Sequence, residues 1–212
     1  MKNTIITLVF VLFTGSVMAQ SAGFEEAIKA TRTMLDSART SEQLQAAAAK
    51  FERIAAAEPA SWEPLYYHAY AHIRLSFAQK DGDTKDALLD VAQESIDKAL
   101  AKEGNASELY ALQGFLYQGR IQVNAMRGMS YSQKATEILE KAVQENPNNP
   151  RAQFLLGQNI FHTPAMFGGG SKKALPKFEE AAVLFEKENE NASTMPTWGK
   201  IANRKMMDAC MK

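Results

Sequence analysis

Residues 92–114, AQESIDKALAKEGNASELYALQG, combine two apolar patterns at helical spacing. Ala92, Ile96 and Ala99 stand at i, i+4 and i+7 and therefore share one face of a helix. A small residue lets a neighbouring helix approach closely, and the large residue fills the space beside it. Gly114 ends a second apolar run 18 residues after Ile96 and predicts another close contact between helices.

Both patterns recur along the chain. The first, small–large–small, occurs four times, at Ala47-Phe51-Ile54, Ala92-Ile96-Ala99, Ala135-Leu139-Ala142 and Ala174-Phe178-Ala181. The second alternates with the first and ends in a small residue at Ala69, Gly114 and Gly157, each time 18 residues after the preceding large residue. Beyond Phe24 no alternating strand-like run appears, so the repeat predicts an all-α fold of stacked helix pairs.

The pattern resembles the tetratricopeptide repeat (TPR) family over about residues 28–190. That family has a small residue in the first helix of each repeat, a small–large–small set in the second, and a proline near the repeat end, as at Pro59 and Pro147. The resemblance implies a right-handed helical solenoid of antiparallel helix pairs. A helix over about 24–38 and the segment after Pro196 are expected to cap its two ends.

The hairpins are longer than the family's. In the family the large residue follows the small one at a spacing of 16 positions. Here the spacings are 27, 25 and 21, so 11, 9 and 5 extra residues fall at one edge. They predict lengthened helices and loops at 124–131 and 162–171. Helix starts are expected at the N-caps Asn105, Asn149 and Ser171.

The amino terminus has the features of an export signal. Lys2 is followed by the apolar stretch Ile5 to Phe13 and by small residues ending in Ala19. We therefore expect a signal peptide at 1–19 and a single helical domain at 20–212. The mature protein should be periplasmic or secreted and should not span a membrane.

The charge and the cysteine content limit the classes of function that the sequence allows. The 24 basic and 24 acidic side chains balance, so the chain lacks the basic footprint of a nucleic-acid-binding protein. Cys210 is the single cysteine, so no intramolecular disulfide can form. No pattern for a cofactor or a catalytic group stands out, and we predict a noncatalytic protein without a cofactor.

The family resemblance implies that the first helix of each pair lines a concave groove for a protein or peptide partner. Carried onto this sequence, the groove positions mix aromatic and polar side chains, as is common at binding hot spots. They are Tyr66, Tyr70, Arg74, Phe115, Gln118, Arg151, Phe154, Gln158, Phe161 and His162. The alternative is that these aromatic residues belong partly to the core or pack under a terminal helix.

Other functions stay open at this point. The two edge loops could close over a small solute, and the segment Phe167 to Gly170 resembles an element of the periplasmic TPR-like components of TRAP-type transporters. Gly170-Ser171-Lys172 lacks the spacing of a phosphate-binding loop. Met126, Met129, Met166 and His162 would suit a soft metal, although methionine is more often core filler. An enzyme would need a titratable group such as His162 beside a carboxylate.

Overall fold

The structure is a computed structural model that describes residues 23–188 and 194–212. The signal peptide expected at 1–19 lies outside the described residues. These residues form α-helices joined by short turns, in the order α1 (23–37), α2 (Ser41–Ala57), α3 (Glu63–Ala78), α4 (Gly82–Leu100), α5 (Ala106–Ile121), α6 (Gly128–Glu145), α7 (Pro150–His162), α8 (Ser171–Lys187) and α9 (Lys200–Cys210). Two short 3₁₀ helices, Ala125–Arg127 and Ala165–Phe167, precede α6 and α8.

The helices are arranged in two layers. Each helix packs on the next in the chain, and α5 also contacts both α3 and α7, so these three form one layer. No comparable contact joins α4 to α6 or α6 to α8 among the described helices. The layer of α3, α5 and α7 is therefore continuous from helix to helix, as in a TPR-like helical repeat. We call the face of this layer that carries the predicted groove residues the groove.

The repeated small and large residues form the core, as predicted. Ala92, Ile96 and Ala99 are fully buried, and so are the corresponding residues of α6 and α8. A Cβ added at Gly114 would lie 2.5 Å from the Leu139 side chain, and one at Gly157 would lie 2.8 Å from Phe178. The small residues thus mark the closest approach between paired helices.

Most helix boundaries agree with the sequence. Asn105 and Asn149 are N-caps, and their side chains accept hydrogen bonds from backbone N–H groups of α5 and α7. Ser171 is the first helical residue and not the cap, because Gly170, with φ of 102°, occupies the cap position. The loop predicted at 124–131 is also shorter than expected, since α6 begins at Gly128.

Both ends of the array are closed by helices. At the amino end, Arg74 of α3 donates to the backbone oxygens of Leu35 and Ala38, which tie α1 to the array. At the other end, α9 packs on α8, and Asn203 donates to the Phe178 carbonyl at 2.9 Å. Within the described residues no helix is both long and apolar enough to cross a membrane.

Candidate functional site

Half of the predicted groove residues are buried. Tyr66, Tyr70, Gln118, Arg151 and Phe154 are each at most 9% exposed. They belong to α3, α5 and α7, and the chain itself covers them. In this conformation these five side chains are not available to a partner.

Part of the cover is the segment 194–199, here called the C-terminal strap, which contacts Tyr66, Tyr70 and Arg151. Phe154 packs against Phe178, and Gln118 donates to the Leu155 carbonyl oxygen. Its backbone oxygens accept hydrogen bonds from the groove: the Tyr67 hydroxyl donates to Thr194 at 3.0 Å, and Arg32 donates to Met195 at 2.7 Å. The Thr194 hydroxyl donates to Glu63 at 3.1 Å. The strap is therefore held by backbone oxygens and by the Thr194 side chain.

Trp198 anchors the strap. Its ring stacks on Tyr70 with centroids 4.6 Å apart and an interplanar angle of 13°, and it lies 5.7 Å from the Phe115 ring. Its indole N–H donates to the Tyr66 hydroxyl at 2.9 Å. Gly199 follows with φ of 111°, which favours glycine and turns the chain into α9. A tryptophan next to a glycine after Pro196 is the sequence signal for this insertion.

A buried ion network closes the same part of the groove. Arg151 donates to both oxygens of Glu108, at 2.8 and 2.9 Å, and also binds Glu188. It donates as well to the Trp198 carbonyl at 3.3 Å. Burial opposes the charge on Arg151, but the two carboxylates outweigh it and raise its pKa. Arg151 is thus fully engaged in holding the strap and the groove together.

The other predicted groove residues either hold the fold together or are at least partly exposed. Arg74 binds the α1 backbone and lies over the Tyr70 ring at 5.7 Å, so its role is structural. Phe115, Gln158 and Phe161 are partly exposed, and His162 is exposed. With Phe77, whose ring centroid is 5.1 Å from that of Phe115, these four residues form what we call the open end of the groove.

The open end contains unused hydrogen-bonding capacity. The side-chain oxygen of Gln158 is buried and has no hydrogen-bond partner among the described residues, and the same holds for Gln118 of α5. Buried polar atoms are usually paired, so an orphaned oxygen marks a place where a ligand or water can donate a hydrogen bond. The Phe161 ring meets that of His162 edge to face, with ring centroids 5.1 Å apart.

Two loops beside the open end expose large apolar side chains. Met126 and Met166 are 92% and 84% exposed, and Met129 and Phe167 are 72% and 60% exposed. The first turns of α6 and the end of α7 are neighbours, because the hydroxyls of Ser132 and Thr163 lie 3.3 Å apart. We call these four apolar residues the edge patch. Such clusters on a protein surface usually mark a binding site.

The three glycines between α7 and α8 serve the turn. Gly168 and Gly170 have φ of 91° and 102°, and a Cβ at Gly169 would collide with the Thr163 carbonyl oxygen. Gly170 donates its N–H to Ile160 at 2.9 Å, which closes the end of α7. A Cβ at Gly168 would lie 3.9 Å from the Lys173 ammonium, so a cation stands beside the edge patch.

The histidines of α3 do not form a metal site. His68 contacts the Ser95 hydroxyl at 2.8 Å, and His72 contacts the His68 backbone oxygen at 2.9 Å. Burial, and next the neighbouring His72, lower the pKa of His68 to about 4. Among the described residues no group of three or more His, Cys, Asp or Glu side chains is arranged to hold a metal ion.

Two depressions lie away from the open end. One of about 270 Å³ lies between α8 and α9, and the other, of about 510 Å³, lies between α1 and α2. Neither lies beneath the loops at 124–131 and 162–171 that the small-solute prediction named. At those loops the protein presents the exposed edge patch.

The chain is similar in sequence and fold to proteins of known structure. No protein-family model matches the chain, and no curated protein matches it. The solved structure of the HusA haemophore from Porphyromonas gingivalis is 32% identical, with a TM-score of 0.79, over 90% of this chain and 92% of the haemophore. The chain therefore belongs to the family of the HusA haemophore.

A second structure supports the fold alone. A thermophilic TPR protein from Thermus thermophilus is 17% identical, with a TM-score of 0.56, over 89% of this chain and 98% of that one. This likeness agrees with the TPR-like architecture predicted from the repeat. The resemblance to components of TRAP-type transporters is not tested by these comparisons and stays a prediction.

Proposed function

We propose that this protein is an exported, noncatalytic haem-binding protein. The observation that carries the proposal is its 32% identity to the HusA haemophore over nearly the whole length of both chains. The small-solute alternative from the sequence is thus preferred to the peptide-binding one. Export with loss of residues 1–19 is part of the proposal, and the mass of the protein isolated from its source cells tests it.

We place the haem across the open end of the groove and the edge patch. A porphyrin has two flat apolar faces and two carboxylates on one edge. Phe115 and Phe161 offer aromatic surface, and Met166 and Phe167 offer apolar side chains that are 84% and 60% exposed. The Lys173 ammonium, beside Gly168, stands where it can pair with a carboxylate.

Burial of apolar surface would supply most of the affinity. Covering a Phe or Met side chain is worth about 1.5–3 kcal/mol, and about 1.4 kcal/mol changes a dissociation constant tenfold. Met166→Ser combined with Phe167→Ser should therefore weaken haem binding at least tenfold. Both side chains are exposed, so the fold should be unaffected.

Titration of the mature protein with haem, followed by absorbance, tests the proposal. Val183→Ser is the matched control, because Val183 is 56% exposed on α8 and lies outside the proposed site. We expect the control to bind as the unaltered protein does. Failure of the unaltered protein to bind haem would refute the function, and equal affinity in the Met166/Phe167 variant would refute the site.

His162 is the exposed histidine of the open end, and imidazole is a common ligand of haem iron. His162→Gln separates two modes of binding. A shifted absorbance spectrum of the complex would assign iron ligation to His162. An unchanged spectrum with unchanged affinity would mean that contacts with the faces and the carboxylates of the porphyrin account for binding.

A second candidate is binding of a protein or peptide in the groove, as the family resemblance implied. The observation in its favour is that the strap already lies against the groove, where the Thr194 backbone oxygen accepts from Tyr67 of α3 and the Met195 backbone oxygen accepts from Arg32 of α1. A partner would have to displace the strap. A labelled peptide of residues 194–199 should then bind the Trp198→Ala protein and not the unaltered one, and no binding to either would count against a peptide groove.

A further inference from the structure

The depression between α1 and α2, here called the α1–α2 cavity, lies outside the proposed haem site. It has a volume of about 510 Å³, within the range of about 300–1,000 Å³ typical of small-molecule sites. It lies between the amino-terminal half of α1 and the carboxyl-terminal half of α2, whereas the edge patch belongs to loops that follow α5 and α7. The cavity is therefore a separate place in the fold.

The cavity has an apolar floor. Phe24 and Ala27 line it from α1, and Ile54 and Ala57 line it from α2. In each pair the residues are three positions apart, so they share one face of their helix. Phe24 and Ile54 pack against the hydrophobic core with one side and leave the other side open to the cavity.

Two cations stand at one end of this floor. Lys50 and Arg53 both line the cavity and are exposed. Neither side chain forms a hydrogen bond or an ion pair with another described residue. Both belong to α2, and like charges three positions apart on a helix repel each other. Glu58, the one acidic lining residue, lies eight residues beyond Lys50, about 12 Å along the helix.

We propose that this cavity binds a small amphiphile with one anionic head, such as a medium-chain carboxylate. The head pairs with Lys50 and Arg53, and the alkyl chain lies on Phe24, Ala27 and Ile54. An anion there neutralises the repulsion between the two cations, and the chain covers apolar surface that is otherwise in water. The orientation of the bound molecule follows from Glu58: the anionic head lies at the Lys50 end, away from this carboxylate.

Calorimetric titration of the mature protein with octanoate, decanoate and dodecanoate, below their micelle concentrations, tests the proposal. Each additional buried methylene should tighten binding by up to about fourfold. Lys50→Gln combined with Arg53→Gln should raise the dissociation constant at least tenfold. Lys29→Gln combined with Lys205→Gln is the control, because it removes the same charge away from the cavity and should leave binding unchanged.

A second variant tests the apolar part. Ala27→Trp would fill the cavity and should abolish binding, with the thermal transition of the protein showing that it folds. Haem affinity should be unaffected by any of these substitutions, so failure here is distinguishable from failure of the proposed function. No binding by the unaltered protein, no dependence on chain length, or equal binding by the Lys50/Arg53 variant would each overturn the proposal.

Discussion

At the scale of single residues, the fold depends on the glycines that let paired helices approach each other closely. Gly114 lies opposite Leu139, and Gly157 opposite Phe178, at distances that leave no room for a Cβ. The buried alanines of α4, α6 and α8 have the same effect in milder form. Close packing of this kind tolerates little added volume, because neighbouring side chains cannot move aside without losing their own contacts.

We predict that Gly114→Ala lowers the free energy of unfolding by about 1–3 kcal/mol, because the new methyl group would lie 2.5 Å from Leu139. Gly128→Ala is the matched control, since nothing lies within 4 Å of its Cβ position. Replacing a helical glycine by alanine there should be neutral or stabilise by up to about 1 kcal/mol. Denaturant unfolding measures both, and equal effects at the two positions would contradict the packing argument.

At the scale of elements, the C-terminal strap covers part of the surface that the sequence predicted as a binding groove. Tyr70 and Phe154, chosen from the sequence as partner contacts, are 8% and 4% exposed. Replacing both by alanine would remove core volume and destabilise the protein, so that variant does not isolate partner binding. At the open end of the groove the strap contacts Phe115 through Trp198, and Phe115 and Phe161 are partly exposed.

The strap depends on a buried charge. We predict that Arg151→Ala destabilises the protein by about 3–5 kcal/mol, because it leaves the Glu108 carboxylate buried without its partner. Arg120→Ala is the comparison: Arg120 also binds two carboxylates, but the Asp90 side chain is 69% exposed and stays hydrated. Its loss should cost clearly less. Thermal and denaturant unfolding of both variants test this order, and the reverse order would contradict it.

At the scale of the whole molecule, a helix closes each end of the array, α1 at the amino end and α9 at the other. Each helix pair contacts mainly its neighbours, so a local change should spread only a short distance. The helix α9 is the terminal cap, and the side chain of its buried Asn203 donates a hydrogen bond to the Phe178 carbonyl oxygen of the last repeat.

We therefore predict that ending the chain after Gly199, which removes α9 and keeps the strap, increases amide hydrogen exchange mainly in α8. Exchange in α2 should stay as it is in the full chain, because α2 packs on α3 at the other end of the array. Hydrogen-exchange mass spectrometry of the two forms makes the comparison. A uniform increase along the chain would show that the array unfolds as one cooperative unit.

Local features were predictable because they depend on neighbours along the chain. The helical periodicity, the recurring small residues and the N-caps Asn105 and Asn149 each follow from spacings of a few residues. The cap at Gly170 was missed because a serine is usually the better cap. The backbone of this loop requires a left-handed residue at that position, which only the fold reveals.

The sequence by itself therefore determined the all-α repeat and the helices that line the groove, since repeat spacing is a local property of the chain. Only the tertiary structure decided that Trp198 fills the groove, because that contact joins residues more than 120 positions apart and no pattern of spacing encodes it. The same holds for the open end and the edge patch. Exposure depends on what the rest of the chain covers, and it is exposure that separates a core aromatic residue from a binding one.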